Sequence, residues 1–136
     1  YCKLRDVQYA AYTQYARRYN LTTNELFVLD IIWFADDGCL QSEICERMSA
    51  TRQTISAIIK KFLKLGYVSL SECKNDRRNK IIRFTQAGSE YTKKIIPPAA
   101  AAEIDAMAEL ADGDIVELVR ITTLFSNLMK KKFNEI

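Results

Sequence analysis

Residues 40–88 read LQSEICERMSATRQTISAIIKKFLKLGYVSLSECKNDRRNKIIRFTQAG. Gly38, just ahead of this stretch, suits a left-handed C′ position and is expected to close a preceding helix. A short helix then sets Ile44, Cys45 and Met48 on one face and leaves Gln41, Glu43, Glu46 and Arg47 to water. Its start carries no clear cap. After Ser49-Ala50, the Thr51 hydroxyl can accept a backbone N–H from the first turn of a second helix, which runs to about Leu65. Ile55, Ile58, Ile59, Phe62 and Leu63 form the stripe that has to be buried. Arg52, Gln53, Ser56, Ala57, Lys60, Lys61 and Lys64 are left on the remaining surface, with no acidic residue among them. Gly66 ends this helix at little conformational cost.

Beyond Gly66 the period changes to that of a strand, Val68, Leu70 and Glu72 alternating with Ser69, Ser71 and Cys73. Lys80 to Thr85 supplies the return strand, and Lys74 to Asn79 forms a charged tip that projects into solvent or a partner. Thr85 caps another helix. Helix, tight turn, helix and hairpin in this order make a winged helix-turn-helix, a module for holding double-stranded DNA. Charge follows the same boundary: residues 39–88 hold ten Lys/Arg and four Asp/Glu, a net +6, while the whole chain carries only +3. A basic stripe confined to one module is the footprint of phosphate binding, the plainer alternative being a solvated basic face.

Several motifs in this stretch resemble those of the multiple antibiotic resistance regulator (MarR) family of bacterial transcription factors. They are Leu21-Thr22-Thr23, Gln41-Ser42-Glu43-Ile44, Thr54-Ile55-Ser56, Leu65-Gly66-Tyr67-Val68, Asp76-Arg77-Arg78 and Phe84-Thr85-Gln86-Ala87-Gly88. The resemblance covers residues 21–88 and implies a mainly α fold with a small two-stranded β-wing, one domain over residues 1–136. It also implies a homodimer whose residues 1–20 and 89–136 are interlocking dimerisation helices, holding two winged regions over successive major grooves. The flanks are consistent with this. Leu4, Val7, Ala11, Tyr12, Tyr15, Ala16 and Tyr19 make an apolar stripe that a lone helix could not bury. Asp112 is expected to cap a last helix with Ile115, Leu118, Val119, Thr122, Phe125, Leu128 and Met129 on one face, ending in Lys130-Lys131-Lys132, which suit a helix C-terminus.

Thr22 and Glu25 make a capping box for a helix that runs to Gly38, with Leu21 placed to staple onto Leu26. The interior of that helix is Phe27, Val28, Leu29, Ile31, Ile32, Trp33 and Phe34, wide enough for burial on several sides. Pro97 and Pro98 are expected to stop the helix that begins near Gln86, a new one starting at Ala99.

The major groove admits a helix whose first turns face base edges, which puts Arg52, Gln53, Thr54, Ser56 and Ala57 nearest the bases. Arg52 can fork onto guanine, Gln53 can bracket adenine, and Thr54 or Ala57 can pack on a thymine methyl. Lys60, Lys61 and Lys64, farther along, are candidate phosphate ligands. In the wing, Lys74, Arg77 and Arg78 are the candidate contacts, the two arginines suiting a narrow minor groove, with Asp76 orienting one of them by an ion pair. The family's Asp-x-Arg pattern singles out Arg78.

The resemblance further implies a repressor released by a small aromatic or phenolic ligand, for which Tyr12, Tyr15, Tyr19 and Trp33 are the candidate cleft. Some relatives sense oxidants through a thiol near the dimer interface, and Cys2 is the candidate by position. Cys39, Cys45 and Cys73 read as small core or strand residues, and the four cysteines lack the paired spacings of a zinc site. No cofactor or metal is expected. With no histidine, no glycine-rich phosphate loop and no nucleophile elbow, an enzyme is disfavoured. A winged-helix scaffold that binds protein is the other alternative, but such a face carries apolar anchors where this one carries Arg52, Gln53, Ser56 and Lys60. No apolar run approaches a membrane span, and unpaired cysteines beside a DNA-binding module favour a reducing bacterial cytoplasm. Opening at Tyr1 without an initiator methionine, the sequence leaves room for native residues ahead of it.

Overall fold

Leu21, Thr22 and Glu25 fix the helix around which the winged region is built. The Thr22 N–H donates to Glu25 Oε2 (3.0 Å) and the Glu25 N–H to Thr22 Oγ1 (3.1 Å), a complete capping box. The computed structural model describes residues 1–136, apart from the side chain of Arg77. Its elements are α1 (Cys2–Arg17), α2 (Thr23–Trp33), β1 (Cys39–Leu40), α3 (Gln41–Met48), α4 (Arg52–Lys64), β2 (Val68–Cys73), β3 (Asp76–Phe84), α5 (Gln86–Lys93), α6 (Ile96–Ala108) and α7 (Asp112–Phe133).

The contacts divide the chain into two compact units, Tyr1–Pro97 and Pro98–Ile136, where the sequence suggested one domain. The division has a simple cause: no residue after Ile96 is fully buried, so every core side chain lies in the first unit. That core combines Leu26, Val28, Leu29, Ile31 and Ile32 of α2, Ile44 of α3, Ile55, Ile58, Ile59 and Phe62 of α4, and Val68 and Ile82 of the sheet. As expected, α2 is covered on several sides.

Three local expectations are corrected. First, α2 ends at Trp33, so Phe34 is its C-cap and lies 59% exposed outside the core. Gly38 is therefore no helix terminator. It turns the chain into β1 with φ +78°, and a Cβ there would stand 2.6 Å from the Ile82 carbonyl oxygen. Second, α5 stops at Lys93, and Pro97 and Pro98 sit in the first turn of α6. First-turn amides lack an intrahelical acceptor, so proline removes nothing there. Third, Ala111 is the N-cap of α7 and Asp112 stands inside its first turn with Asp114, where both carboxylates meet the positive end of the helix dipole.

The sheet has three strands in the order β1-β3-β2, so the wing hairpin gains a short strand that the sequence pattern did not reveal. Cys39 pairs with Ile82 and Leu40 with Ile81, antiparallel. On the other side β2 and β3 pair from Val68–Phe84 out to Cys73–Asp76, with an irregularity at Glu72/Cys73. The tip shrinks accordingly: Lys74 and Asn75 are the turn, and Asp76 to Asn79 already belong to β3.

The base of the wing is closed by contacts from both its ends. The Thr85 N–H donates to the Tyr67 carbonyl (3.0 Å) and the Thr85 hydroxyl to the Gly66 carbonyl (2.6 Å), while Thr85 Oγ1 also caps α5 through the Gly88 N–H (3.0 Å). Tyr67 and Tyr91 stack at 4.4 Å. Gly88 lies so close over the Tyr67 carbonyl that a Cβ would collide with backbone. Gly88→Ala, which by helix propensity should stabilise α5, is expected instead to lower the unfolding free energy by about 1–3 kcal/mol through overpacking. Urea denaturation measures this, and an unchanged or higher stability would contradict the close approach.

Candidate nucleic-acid interface

The presentation of α4 begins with its cap. Thr51 Oγ1 accepts the Thr54 N–H (3.2 Å) and lies 2.9 Å from the Thr54 hydroxyl, which fixes the first turn. Gln41 Nε2, at the start of α3, donates to the Arg52 carbonyl (3.2 Å) and ties the two helices together where the candidate contact residues start. The start of α3 is itself fixed by a feature the sequence left unmarked, the Leu40 N–H donating to Glu43 Oε2 (2.6 Å). Leucine has no side-chain acceptor, so only this half of a capping box is present.

With Ile55, Ile58, Ile59 and Phe62 turned into the core, helical spacing sets Gln53, Ala57, Lys60 and Lys64 along the opposite side. Arg52, Gln53, Thr54, Ala57, Lys60 and Lys64 are exposed and Ser56 is half-buried. The set inferred from sequence thus shares one accessible surface, with one change of role. Because the Thr54 hydroxyl is engaged with the cap, its methyl is the part left to offer a base. Lys61 is already partnered: its Nζ lies 2.7 Å from Glu25 Oε1, across on α2.

In the wing, Lys74 and Arg78 are exposed; the side chain of Arg77 lies outside the described residues. Asp76 does not pair with the Arg78 guanidinium among the described residues. Its Oδ1 accepts the Arg78 backbone N–H (2.9 Å) and its Oδ2 the Asn79 side-chain amide (3.2 Å), so it shapes the backbone of the tip. Arg83, counted among the basic residues of the module, is tied up at the wing base. Its Nε and Nη2 grip Asp37 Oδ1 and Oδ2 at 3.0 and 3.2 Å, and Nη1 donates to Ser71 Oγ at 2.6 Å. Arg83 holds the Asp37 carboxyl below its ordinary range. Sequence reasoning missed this clamp because its two ends are 46 residues apart. The only trace is a basic residue on the same cross-strand row as Ser69 and Ser71.

Of the four residues proposed as a ligand cleft, Tyr15 and Tyr19 are brought together, their rings 5.4 Å apart, while Tyr12 and Trp33 each pack against another ring. Tyr15 donates from its hydroxyl to the Ile95 carbonyl (2.7 Å) and Tyr19 to the Lys94 carbonyl (3.2 Å), anchoring α1 to the segment after α5. Tyr12 packs edge-on against Phe27 at 5.3 Å. Trp33 lies elsewhere, against Phe84 on the wall of a shallow cavity of about 330 Å³ that also includes Asp36, Asp37 and Arg83.

Residues 19–79, which take in α2, the helix-turn-helix and the wing tip, match the model of the MarR family. The HTH-type transcriptional regulator PrsX of Escherichia coli is 29% identical over 84 residues, 61% of this chain and 51% of that protein. The chain spans about half the length of the curated relatives it matches. A solved MarR family regulator from Neisseria meningitidis shares the fold with a TM-score of 0.83 at 20% identity, covering 98% of this chain and 93% of that one. The S. aureus MepR–DNA complex does so at 0.75 and 17%, covering 93% and 97%. The MarR-family match stops at Asn79 in β3, so Arg83 lies just beyond it while its partners Asp37 and Ser71 lie inside it.

The cysteines divide by accessibility. All four are free thiols; Cys2 is exposed, Cys45 and Cys73 are half-buried, and Cys39 in β1 is buried. Burial, followed by the nearby Glu43 carboxylate, pushes the Cys39 thiol up to about 11. Burial and then the Tyr19 hydroxyl push Tyr15 up to about 12. Both groups keep in the folded state a proton that the unfolded chain gives up sooner. Their stabilisation is complete below the unfolded values of 9.0 and 10.0 and is lost as pH climbs towards about 11 and about 12. Thermal midpoints should therefore fall between pH 9 and pH 11. At pH 8, with about one Cys39 in a thousand ionised, a maleimide should label Cys2 at once and Cys39 only after denaturation. Prompt labelling of Cys39 in the native protein would be incompatible with its buried position.

Proposed function

We propose that this chain is a homodimeric, DNA-binding transcriptional repressor of a bacterial cytoplasm, which reads a pseudo-palindromic operator with α4 in the major groove and the wing in the minor groove. The observation that carries this reading is the cationic surface made by Arg52, Lys60 and Lys64 on α4 and by Lys74 and Arg78 in the wing. All five are exposed, and among the described residues none forms an ion pair. Cations left without protein partners on a polar helix face and on a neighbouring hairpin suit a partner that carries phosphates at regular spacing.

Support for the homodimer comes from apolar side chains that each unit leaves in water. On α1, Leu4 and Val7 are 69% and 66% exposed. On α7 no residue is buried, and Leu118, Ile121, Phe125 and Leu128 lie open along one face. A lone chain that left so much apolar surface wet would associate, and a second copy is the occupant this reading assigns. Modulation by a small aromatic ligand rests on the family resemblance, with Tyr15 and Tyr19 the two candidate residues that lie together. Among the described residues no helix is long and apolar enough to cross a membrane.

Selection from random duplex DNA should return a pseudo-palindrome with half-sites about one helical turn apart. On the selected duplex Arg52→Ala should cost about 1–3 kcal/mol and relax one base preference. Lys60→Ala should weaken all duplexes alike and reduce the salt slope by about 1. No consensus, together with no effect of either substitution, would defeat the DNA-reading proposal.

A further inference from the structure

We infer that the Glu25–Lys61 ion pair is the strut that sets the position of α4 for DNA reading, so that Lys61 acts as a positioning residue and not as a phosphate ligand. This rests on the proposed DNA-reading function and assigns a role to one part of it. Glu25 is the single charged residue buried in the described core, at 7% exposure. Both its oxygens are taken: Oε2 accepts the Thr22 N–H (3.0 Å) and Oε1 receives Lys61 Nζ (2.7 Å). A buried carboxylate is costly unless every lone pair that matters is satisfied, so its geometry tolerates little displacement.

Position on the helix points the same way. Lys61 is displaced to one flank of α4, away from the line of Gln53, Ala57, Lys60 and Lys64, and its side chain is 45% exposed while its head is turned inward to α2. Glu25 is also the N3 residue of the capping box, so a shift of Lys61 pulls on the start of α2. That start is held to α1 as well, the Thr13 and Thr23 hydroxyls lying 2.9 Å apart. A chain of short polar contacts thus runs from α1 through the first turn of α2 to the last turn of α4. Each link is a single geometry, which is what a strut requires.

The two roles predict opposite signs. Removing the negative charge of Glu25 should strengthen DNA binding if electrostatics alone matter, and should weaken it if the carboxylate holds α4 in place. The test uses Glu25→Gln, Lys61→Met, the double variant and Lys61→Arg in the full chain. Anisotropy titrations against the selected duplex and an unrelated duplex of equal length, over a range of KCl, are combined with hydrogen exchange of α4 in the DNA-free protein. Glu25→Gln and Lys61→Met should each weaken the selected duplex about tenfold, about 1.4 kcal/mol. The unrelated duplex and the salt slope should stay unchanged, α4 exchange should quicken, and the double variant should be no worse than either single one. Lys61→Arg, which can still reach the carboxylate, should bind like the parent.

A salt slope lowered by about 0.9 in Lys61→Met, with equal losses on both duplexes and no loss in Glu25→Gln, would make Lys61 a phosphate ligand and overturn the inference. Unaltered α4 exchange in both single variants would also overturn it. If the parent protein prefers no duplex, the DNA-reading proposal falls, and α4 exchange alone still decides whether the pair is a strut.

Discussion

The burial of one face of α4 is the constraint on which everything else in the winged region depends. Ile55, Ile58, Ile59 and Phe62 are all nearly or fully buried, each worth about 1.5–3 kcal/mol against exposure. A surface ion pair is worth about 0–1 kcal/mol, so no rearrangement of the lysines could turn this helix over. The apolar stripe thus decides which side chains face outward, and the polar ones need no interaction of their own to be displayed. Cap, tie and strut then set the remaining freedom: the Thr51 hydroxyl fixes the first turn, Gln41 holds the Arg52 carbonyl, and Glu25 holds Lys61.

The wing is organised by a different device. Only two residues of β1 reach β3, yet they bring the chain that enters α3 alongside the hairpin. Gly38 makes that approach possible because its backbone passes where a side chain would strike Ile82. Arg83 completes the junction by holding the turn before β1 and the strand β2 at once. Consequently the start of α3 and the base of the wing are one mechanical piece. Since α3 also holds the start of α4 through Gln41, the two candidate DNA-contacting elements share a common support.

What the sequence made legible was what acts within about four residues. The capping box at Thr22 and Glu25, the Thr51 and Thr85 caps and the left-handed Gly66 are local chemistry, and all are present. The stripe of α4 was legible because periodicity survives without knowledge of what covers it. Long-range pairings left no comparable trace. Glu25–Lys61 and Asp37–Arg83 join residues 36 and 46 positions apart, and β1 is too short to show an alternation. The prolines misled because position 97 can end one helix or begin the next, and only the amide bonding tells which. The hydroxyls of Tyr15 and Tyr19 are spent on backbone carbonyls 80 and 75 positions away, which periodicity does not show.

The closed base of the wing bears on how such a reader can diverge. Gly66, Tyr67, Thr85 and Gly88 bring the two ends of the hairpin within hydrogen-bonding distance, so the intervening residues form a loop already shut at its neck. Lengthening a loop whose ends are fixed costs only slowly rising entropy. Beyond the short reach of β1, Asp76 and Lys80 pair with β2 alone. Residues near Lys74 and Asn75 are therefore free to be lengthened, shortened or recharged with little penalty to the core. A lineage of such proteins can change the charge and length of the tip while the neck and the buried helix face stay as they are.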